Sequence, residues 1–309
     1  MERRDFLKSA AIAGGVVSQA AAAGGPLPRR RYKDNVQLSI IGFGGIVVVG
    51  QEQKNADRDV ALSVERGVNY FDVAPSYGDG EAEIKLGPAL EPYRKNVFLA
   101  CKTREFTAEG ARREFEQSLQ RLRTDHFDLY QFHAVTTLKD VDAITAPGGA
   151  GDFFLKLKQQ GKARYLGASA HSEEAAIALM DRFPLDSLLY PVNYVCYAQG
   201  NFGPGIMAHA KKKGVARLAL KAMARNRLAR GEKREFPKCW YQPIGDREQA
   251  AKALRFTLSE DITAAVPPGN EQLYRMALDL AAGFQPLSAA ERRELLASSA
   301  GIKPLFPLG

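Results

Sequence analysis

Four side chains in this sequence suit one kind of chemistry. Asp72 and Tyr77 lie in Phe71-Asp72-Val73-Ala74-Pro75-Ser76-Tyr77-Gly78; Lys102 ends Ala100-Cys101-Lys102-Thr103, and His133 ends Gln131-Phe132-His133. A tyrosine titrates near about pH 10 and is a poor acid at neutrality. An ammonium beside it favours the phenolate and lowers that value. A carboxylate paired with the ammonium keeps it charged and oriented. An imidazole donates a hydrogen bond to a carbonyl oxygen that is gaining charge. The set therefore suits carbonyl reduction, in which hydride reaches carbon while the phenol protonates oxygen. Singly, each residue has a plainer use: a loop cap, a packed aromatic, a solvated lysine, a structural histidine. The joint pattern carries the functional reading.

Something must bring the four together. Eight β-like runs alternate with helix-like segments: Leu38–Gly44, Asn69–Ala74, Val97–Thr103, Phe127–Ala134, Tyr165–Ala170, Leu188–Tyr194, Ala216–Met223 and Ile262–Pro267. Helical periodicity marks Asp57–Arg66, Ala108–Leu122, Glu173–Arg182, Gly205–Lys213, Arg247–Leu258, Asn270–Ala282 and Ala289–Ser298. Ser172 precedes one of these segments and predicts an N-cap. Strands alternating with helices form parallel βαβ units, and eight units match a (β/α)8 TIM barrel. Polar residues at the C-terminal ends of such strands share one rim, which is where the four fall. Strand alternation turns Cys101 to the face opposite Lys102, so it reads as packing.

These residues resemble the aldo/keto reductase family. The likeness rests on Gly67-Val68-Asn69-Tyr70-Phe71-Asp72-Val73-Ala74-x-x-Tyr77-Gly78 and on Glu81 to Leu90. It continues through Lys102-Thr103, Asp128-Leu129-Tyr130-Gln131-Phe132-His133 and Gly161 to Ser169, in order across roughly residues 37–282. The resemblance implies a (β/α)8 barrel without a metal that uses a nicotinamide cofactor, NADP(H) ahead of NAD(H). It implies Tyr77 as acid/base, Lys102 and Asp72 tuning it, and His133 orienting the carbonyl. The substrate would be a small carbonyl compound or alcohol.

The cofactor contacts depart from the family's pattern. Its Ser-Asn pair stands here as Ser169-Ala170. Its sixth-strand glutamine is Pro191, which leaves Asn193 as a substitute. Its stacking seventh-strand tyrosine is Leu220, followed by Lys221. The loop Pro267 to Gln272 is short and lacks a basic residue for a 2′-phosphate. Lys221, Arg225 and Arg227 follow the seventh strand and read equally as phosphate contacts or as a basic surface loop. Gly42-Phe43-Gly44-Gly45 reads as the first strand reaching the cofactor, with Gly44 at the contact, not as a dinucleotide-binding loop. These departures leave an alternative: a barrel reused as a ligand-binding module without turnover.

The flanks set the context. Arg3-Arg4 followed by Phe6-Leu7-Lys8, a weakly apolar Ser9–Val17 and the small-residue stretch Ser18 to Ala23 resemble a twin-arginine export signal over residues 1–23. The expectation is export to the periplasm by the twin-arginine machinery, and a mature protein without a membrane segment. An exported enzyme lacks a ready way to recharge a nicotinamide, which implies a tightly held cofactor. Residues 24–36, rich in Pro, Gly and Arg, read as a linker before the barrel of 37–309. Loops Thr136–Gly151 and Asn226–Pro243, the latter with the sole tryptophan Trp240, read as the variable substrate loops.

Composition excludes other classes. The chain has 309 residues, 45% hydrophobic and 25% charged, so it is neither disordered nor fibrous. Its three cysteines show no C-x-x-C spacing, which excludes a zinc or iron–sulfur motif of that kind and a disulfide scaffold. The net charge is +8, but the densest basic stretches, Arg29–Arg31 with Lys33 and Lys211–Lys213, lack the stacking aromatics of a nucleic-acid site.

Overall fold

A computed structural model describes residues 25–229 and 231–307. The expected export segment, 1–23, lies outside the described residues. Eight parallel strands run in order around one sheet: β3 (Phe43–Gly44), β4 (Tyr70–Asp72), β5 (Phe98–Thr103), β6 (Phe127–Val135), β7 (Ala163–Ala170), β8 (Ser187–Pro191), β9 (Ala216–Leu220) and β12 (Ala264–Val266). A parallel bridge between Ile41 and Ala265 closes the ring. The Ala265 amide donates to the Ile40 carbonyl and the Gly42 amide to the Ala265 carbonyl, each at 2.9 Å. The fold is therefore the expected (β/α)8 barrel.

Strand alternation divides the core into two layers. Leu99 and Cys101 face the surrounding helices, whereas Phe98 and Ala100 join Tyr70, Leu129, Tyr165, Leu189 and Leu218 inside the barrel. Continuing that alternation puts Lys102 inward at the top of the same strand. The Cys101 thiol is buried on the helix side and donates to Glu83 at 3.6 Å.

The linker expectation for 24–36 does not hold. Arg29–Lys33 is strand β1, paired antiparallel with β2 (Val36–Ser39) around a turn at Asp34, whose φ is +51°. Its alternation drives Tyr32 inward against Phe98 and Tyr165, with ring centroids 5.2 Å from each. Leu38 joins the same interior cluster, so the hairpin plugs the N-terminal end of the barrel. The charged residues around Tyr32 are anchors: Lys33 pairs with Asp186 at 2.6 Å, and Arg30 donates to the Ile262 and Leu258 carbonyls at 2.9 and 2.6 Å. The run read as one strand from Leu38 to Gly44 thus serves two elements.

Helices α1 (Gln53–Glu65), α3 (Ala108–Arg121), α6 (Glu173–Arg182), α8 (Pro204–Lys213), α9 (Arg247–Ser259), α10 (Glu271–Ala282) and α11 (Ala289–Ser298) follow the periodic segments. The Ser172 hydroxyl caps α6 by accepting from the Ala175 amide at 3.2 Å. Both expected loops contain structure. Thr136–Gly151 holds α4 (Leu138–Thr145) and the start of α5 (Ala150–Gln159); Asn226–Pro243 holds much of a hairpin, β10 (Ala224–Arg227) with β11 (Tyr241–Pro243). Two further helices are α2 (Glu81–Leu90), with Pro88 inside it, and α7 (Tyr194–Gly200).

Candidate active site

The β4–α2 turn delivers Tyr77. Gly78, Asp79 and Gly80 take left-handed φ values of +62°, +52° and +92°, which reverse the chain directly after the tyrosine. The φ of Gly80 requires glycine there, and a Cβ would also push against the Arg121 guanidinium. The Tyr77 amide donates to the Ala74 carbonyl at 3.0 Å and fixes the turn. The β4 end carries Asp72 and the β5 end carries Lys102, on neighbouring strands.

At this rim Lys102 is shared. Its ammonium pairs with Asp72 Oδ1 and donates to the Tyr77 hydroxyl at 3.2 Å and the Val73 carbonyl at 3.4 Å. Lys102 and Asp72 are only 1% and 2% exposed. The second oxygen, Asp72 Oδ2, accepts from Gln131 at 3.0 Å and from the Tyr70 hydroxyl at 3.1 Å. A buried ion pair of this kind persists only when its remaining positions are filled, and here they are. Tyr70 and Gln131 were not singled out from sequence. Each stands two positions before one of the four, Tyr70 before Asp72 and Gln131 before His133, which is the available signal.

Burial works against the Lys102 ammonium, but Asp72 and Tyr77 outweigh it and hold it above its ordinary pKa. Tyr77 departs from expectation. Burial raises its pKa above the usual value; Lys102 pulls it down, Asp72 pushes it up, and the net remains upward. Tyr77 therefore rests as a phenol. His133 packs edge-on against Tyr77 with centroids 5.6 Å apart, and its Nδ1 lies 3.4 Å from the Ser76 hydroxyl. Burial, with Lys102, Arg104, His171 and Lys221, pushes the His133 pKa well below the ordinary range, so the ring is neutral at pH 7.

Beside Asp72 and Tyr77 lies a cavity of about 100 Å³, walled by Leu189, Leu220, Val266 and Pro267. That is roughly three waters' share of liquid volume. Cys239, Trp240 and Tyr241 also line it, from the segment that leads into β11. Lys238 fastens this segment by donating to the Val47 carbonyl at 2.8 Å and pairing with Glu271 at 2.5 Å.

The expected cofactor residues fare unequally. Gly44 pairs with Asp72 in the sheet, and a Cβ there would sit 3.0 Å from Val266, so it permits close packing at the rim. Lys221 lines the cavity, 4.5 and 5.1 Å from the Tyr241 and Trp240 rings. Burial lowers its pKa to about 8. Arg225 is exposed and does not line this cavity. Arg227 instead stacks 5.9 Å from Trp240 and donates to the Leu305 carbonyl at 3.3 Å.

Asn193 and Ser169 turn out to brace the backbone. The Asn193 amide donates to the Lys221 and Ala224 carbonyls at 3.0 and 2.6 Å, and its oxygen accepts from the Val195 and Cys196 amides. Fully buried with every position filled, it has nothing left for a carboxamide. The Ser169 hydroxyl accepts from the Ala134 amide at 2.8 Å and keeps its proton free to donate. Lys221 and Ala134 are both left-handed, with φ of +68° and +58°. Such positions cost on the order of 1–2 kcal/mol for a residue with a Cβ and persist only when held. Two residues expected to grip a cofactor thus hold strained backbone beside Lys221 and His133.

The family model described as "Aldo/keto reductase family" matches residues 41–281. The chain belongs to the aldo/keto reductase family. It is an aldo/keto reductase-type oxidoreductase of carbonyls and alcohols. It is 26% identical over 234 residues to L-galactose dehydrogenase of Arabidopsis thaliana, a match covering 71% of this chain and 70% of that protein. It is 26% identical to the aldo-keto reductase YhdN of Bacillus subtilis, over 62% of this chain and 59% of that one. Among solved structures, the holo form of aldo-keto reductase AKR11C1 from Bacillus halodurans superposes with a TM-score of 0.70 at 22% identity. That superposition covers 90% of this chain and 98% of the other. At that identity the likeness concerns the fold.

Proposed function

We propose that this protein is an exported, nicotinamide-dependent enzyme that interconverts a small carbonyl compound and its alcohol. Tyr77 is the proton donor, Lys102 and Asp72 set its acidity, and His133 orients the carbonyl. The observation that carries this reading is the single buried ammonium shared between a carboxylate and a phenol. In the reducing direction the acid must hold its proton until charge develops on the carbonyl oxygen. Burial keeps Tyr77 protonated, and Lys102 stabilises the phenolate that remains after transfer. A neutral His133 donates one hydrogen bond to the same oxygen and adds no proton of its own.

The residues present fit a nicotinamide nucleotide in chemistry. Leu220, Leu189 and Val266 offer apolar walls, the Ser169 proton is free, and Lys221 is a cation facing the cavity. The bound cofactor supplies the hydride; the family resemblance favours NADP(H). A cavity of about 100 Å³ is far smaller than a dinucleotide, so either most of the nucleotide lies outside it or the Lys238–Tyr241 segment lifts to admit it. The Arg3-Arg4-x-Phe-Leu-Lys motif supports export by the twin-arginine machinery, and a periplasmic enzyme gains from retaining its nucleotide tightly.

Calorimetric titration of the full chain with NADPH and NADH, after release and identification of any bound nucleotide, tests the reading. Binding of NADPH, with quenching of Trp240 where its segment lifts, is the expected result. Binding of neither nucleotide would overturn it and favour a ligand-binding module.

A further inference from the structure

We infer that the mouth of this barrel takes a carbonyl substrate bearing an anionic oxygen group, a carboxylate or a phosphate, held by Arg104 and His171. This deepens the reductase reading and rests on it. Three observations carry the inference.

The first is topology. Arg104 follows Thr103 at the end of β5, and Lys221 follows Leu220 at the end of β9. In the ring of eight strands β5 and β9 are four places apart, so these cations stand on opposite sides of the mouth. His171 follows β7, midway between them, with its amide donating to the Val135 carbonyl at 3.2 Å.

The second is charge. Elsewhere carboxylates sit close to cations, as Lys33 and Lys158 do on Asp186, and Arg94 on Asp128. Among the described residues neither Arg104 nor Lys221 has a carboxylate within ion-pair distance. The nearby Glu114 takes the Arg104 amide at 3.0 Å and the Thr103 hydroxyl, and so holds the backbone. After burial, the groups that lower the His171 pKa are Lys221 and Arg104, both positive. Of the carboxylates at this rim, Asp72 is committed to Lys102. A concave site with cations of one sign and low-dielectric walls concentrates field and draws anions.

The third is construction. Lys221 is kept in left-handed backbone by the buried Asn193 amide and lies against two aromatic rings. His171 stacks on Phe306 with centroids 5.1 Å apart, and Phe306 touches Trp240 at 6.1 Å. Its imidazole, neutral at pH 7, offers a hydrogen-bond donor on the same rim as the exposed Arg104 guanidinium, two strands away, and a guanidinium binds oxyanions through paired N–H groups. Lys221 sits with the expected cofactor contacts, whereas Arg104 extends the strand that carries Lys102. The substrate's anion therefore belongs to Arg104 and His171, with Lys221 adding to the field from across the barrel.

The test uses matched substrates with the full chain and saturating NADPH: succinate semialdehyde against butanal, and glyceraldehyde 3-phosphate against glyceraldehyde. For at least one pair, kcat/KM for the anion should be higher by about tenfold or more, the effect of one charge-assisted hydrogen bond, and carried in KM. The first pair reads carboxylate and the second phosphate. The preference should shrink as NaCl rises to about 0.3 M, fall toward unity in Arg104→Gln and partly return in Arg104→Lys. A preference for the neutral member in both pairs, or one that survives Arg104→Gln intact, would overturn the inference. If no aldehyde is turned over, the reductase reading fails and binding still decides this one. Trp240 is the sole tryptophan, so its fluorescence reports this mouth. Glycerol 3-phosphate or succinate binding about tenfold tighter than glycerol would support the anion site, and equal binding would overturn it.

Discussion

The two ends of this barrel each hold a buried aspartate bound to lysine, and they use it differently. At the base, Asp186 takes Lys33 and Lys158, both at 2.6 Å, and the Leu166 amide at 2.9 Å. Its lysines are well exposed, with side chains 35% and 42% accessible. Burial would raise the Asp186 pKa, but these partners outweigh it and hold it below the ordinary value. The cluster staples the plug hairpin and α5 to the start of β8. At the mouth, Asp72 has one ammonium, and Lys102 divides itself between the carboxylate and a phenol. One carboxylate with surplus cations makes an anchor. One cation with two acidic partners makes a device whose proton can be given away.

The comparison breaks most readily at Lys102. Lys102→Met leaves Asp72 buried beside Tyr70 and Gln131 without its counter-charge. The expected loss is about 3–5 kcal/mol in urea unfolding, with kcat reduced by about 100-fold or more. Adding Asp72→Asn should restore much of the stability and none of the turnover. Recovery of both would mean that the pair is only structural.

His171 should produce the next effect. Its pKa is lowered to about 4 by burial first, then by Lys221 and Arg104. A folded value below the unfolded one means that the unfolded chain binds the proton first. Stability is therefore full above about pH 6.5 and falls by about 3 kcal/mol as the pH drops toward 4. Denaturation measured across that window should show the slope, to which His133, also held below its ordinary pKa, contributes in the same sense, and His171→Asn should reduce it. A bound anion at the mouth should reduce it too.

Asp186→Asn should have the smallest consequence, a loss of about 2 kcal/mol from the base with turnover intact. The Asp186 pKa is depressed, so its contribution is present above about pH 4 and disappears as the pH falls through the folded value. A change in kcat from this substitution would contradict the separation of the two ends.

Most of the barrel was legible because its signals are local. β-like runs and helical periodicity located eight strands and seven helices, and Ser172 capped where its hydroxyl predicts. The plug hairpin was missed because its composition, Arg-Arg-Arg with Pro and Gly nearby, resembles a linker. Only the alternation that buries Tyr32 betrays it. Helix α2 was hidden by Gly87 and Pro88, which usually break a helix, and α4 is too short for its period to show.

The acid–base group was legible for a similar reason: its members end consecutive strands. What the other polar residues do was not legible. Asn193 and Ser169 carry groups that suit a carboxamide, yet they meet Lys221, Ala224 and Ala134 backbone that only the folded chain brings near. The left-handed conformations of Lys221 and Ala134 leave no mark in residue type. Nor could sequence weigh the Tyr77 pKa, where burial and Lys102 oppose each other and burial prevails.

Turnover depends on the Tyr77 proton. Wild-type protein and Tyr77→Phe, each loaded with NADPH, should be mixed with an excess of aldehyde and followed through a single turnover. The prediction is equal affinity for NADPH, consumption of the reduced cofactor by the wild type, and a rate lower by about 100- to 10,000-fold in the variant. Turnover by Tyr77→Phe at the wild-type rate would contradict the claim that the phenol held by Lys102 is the acid.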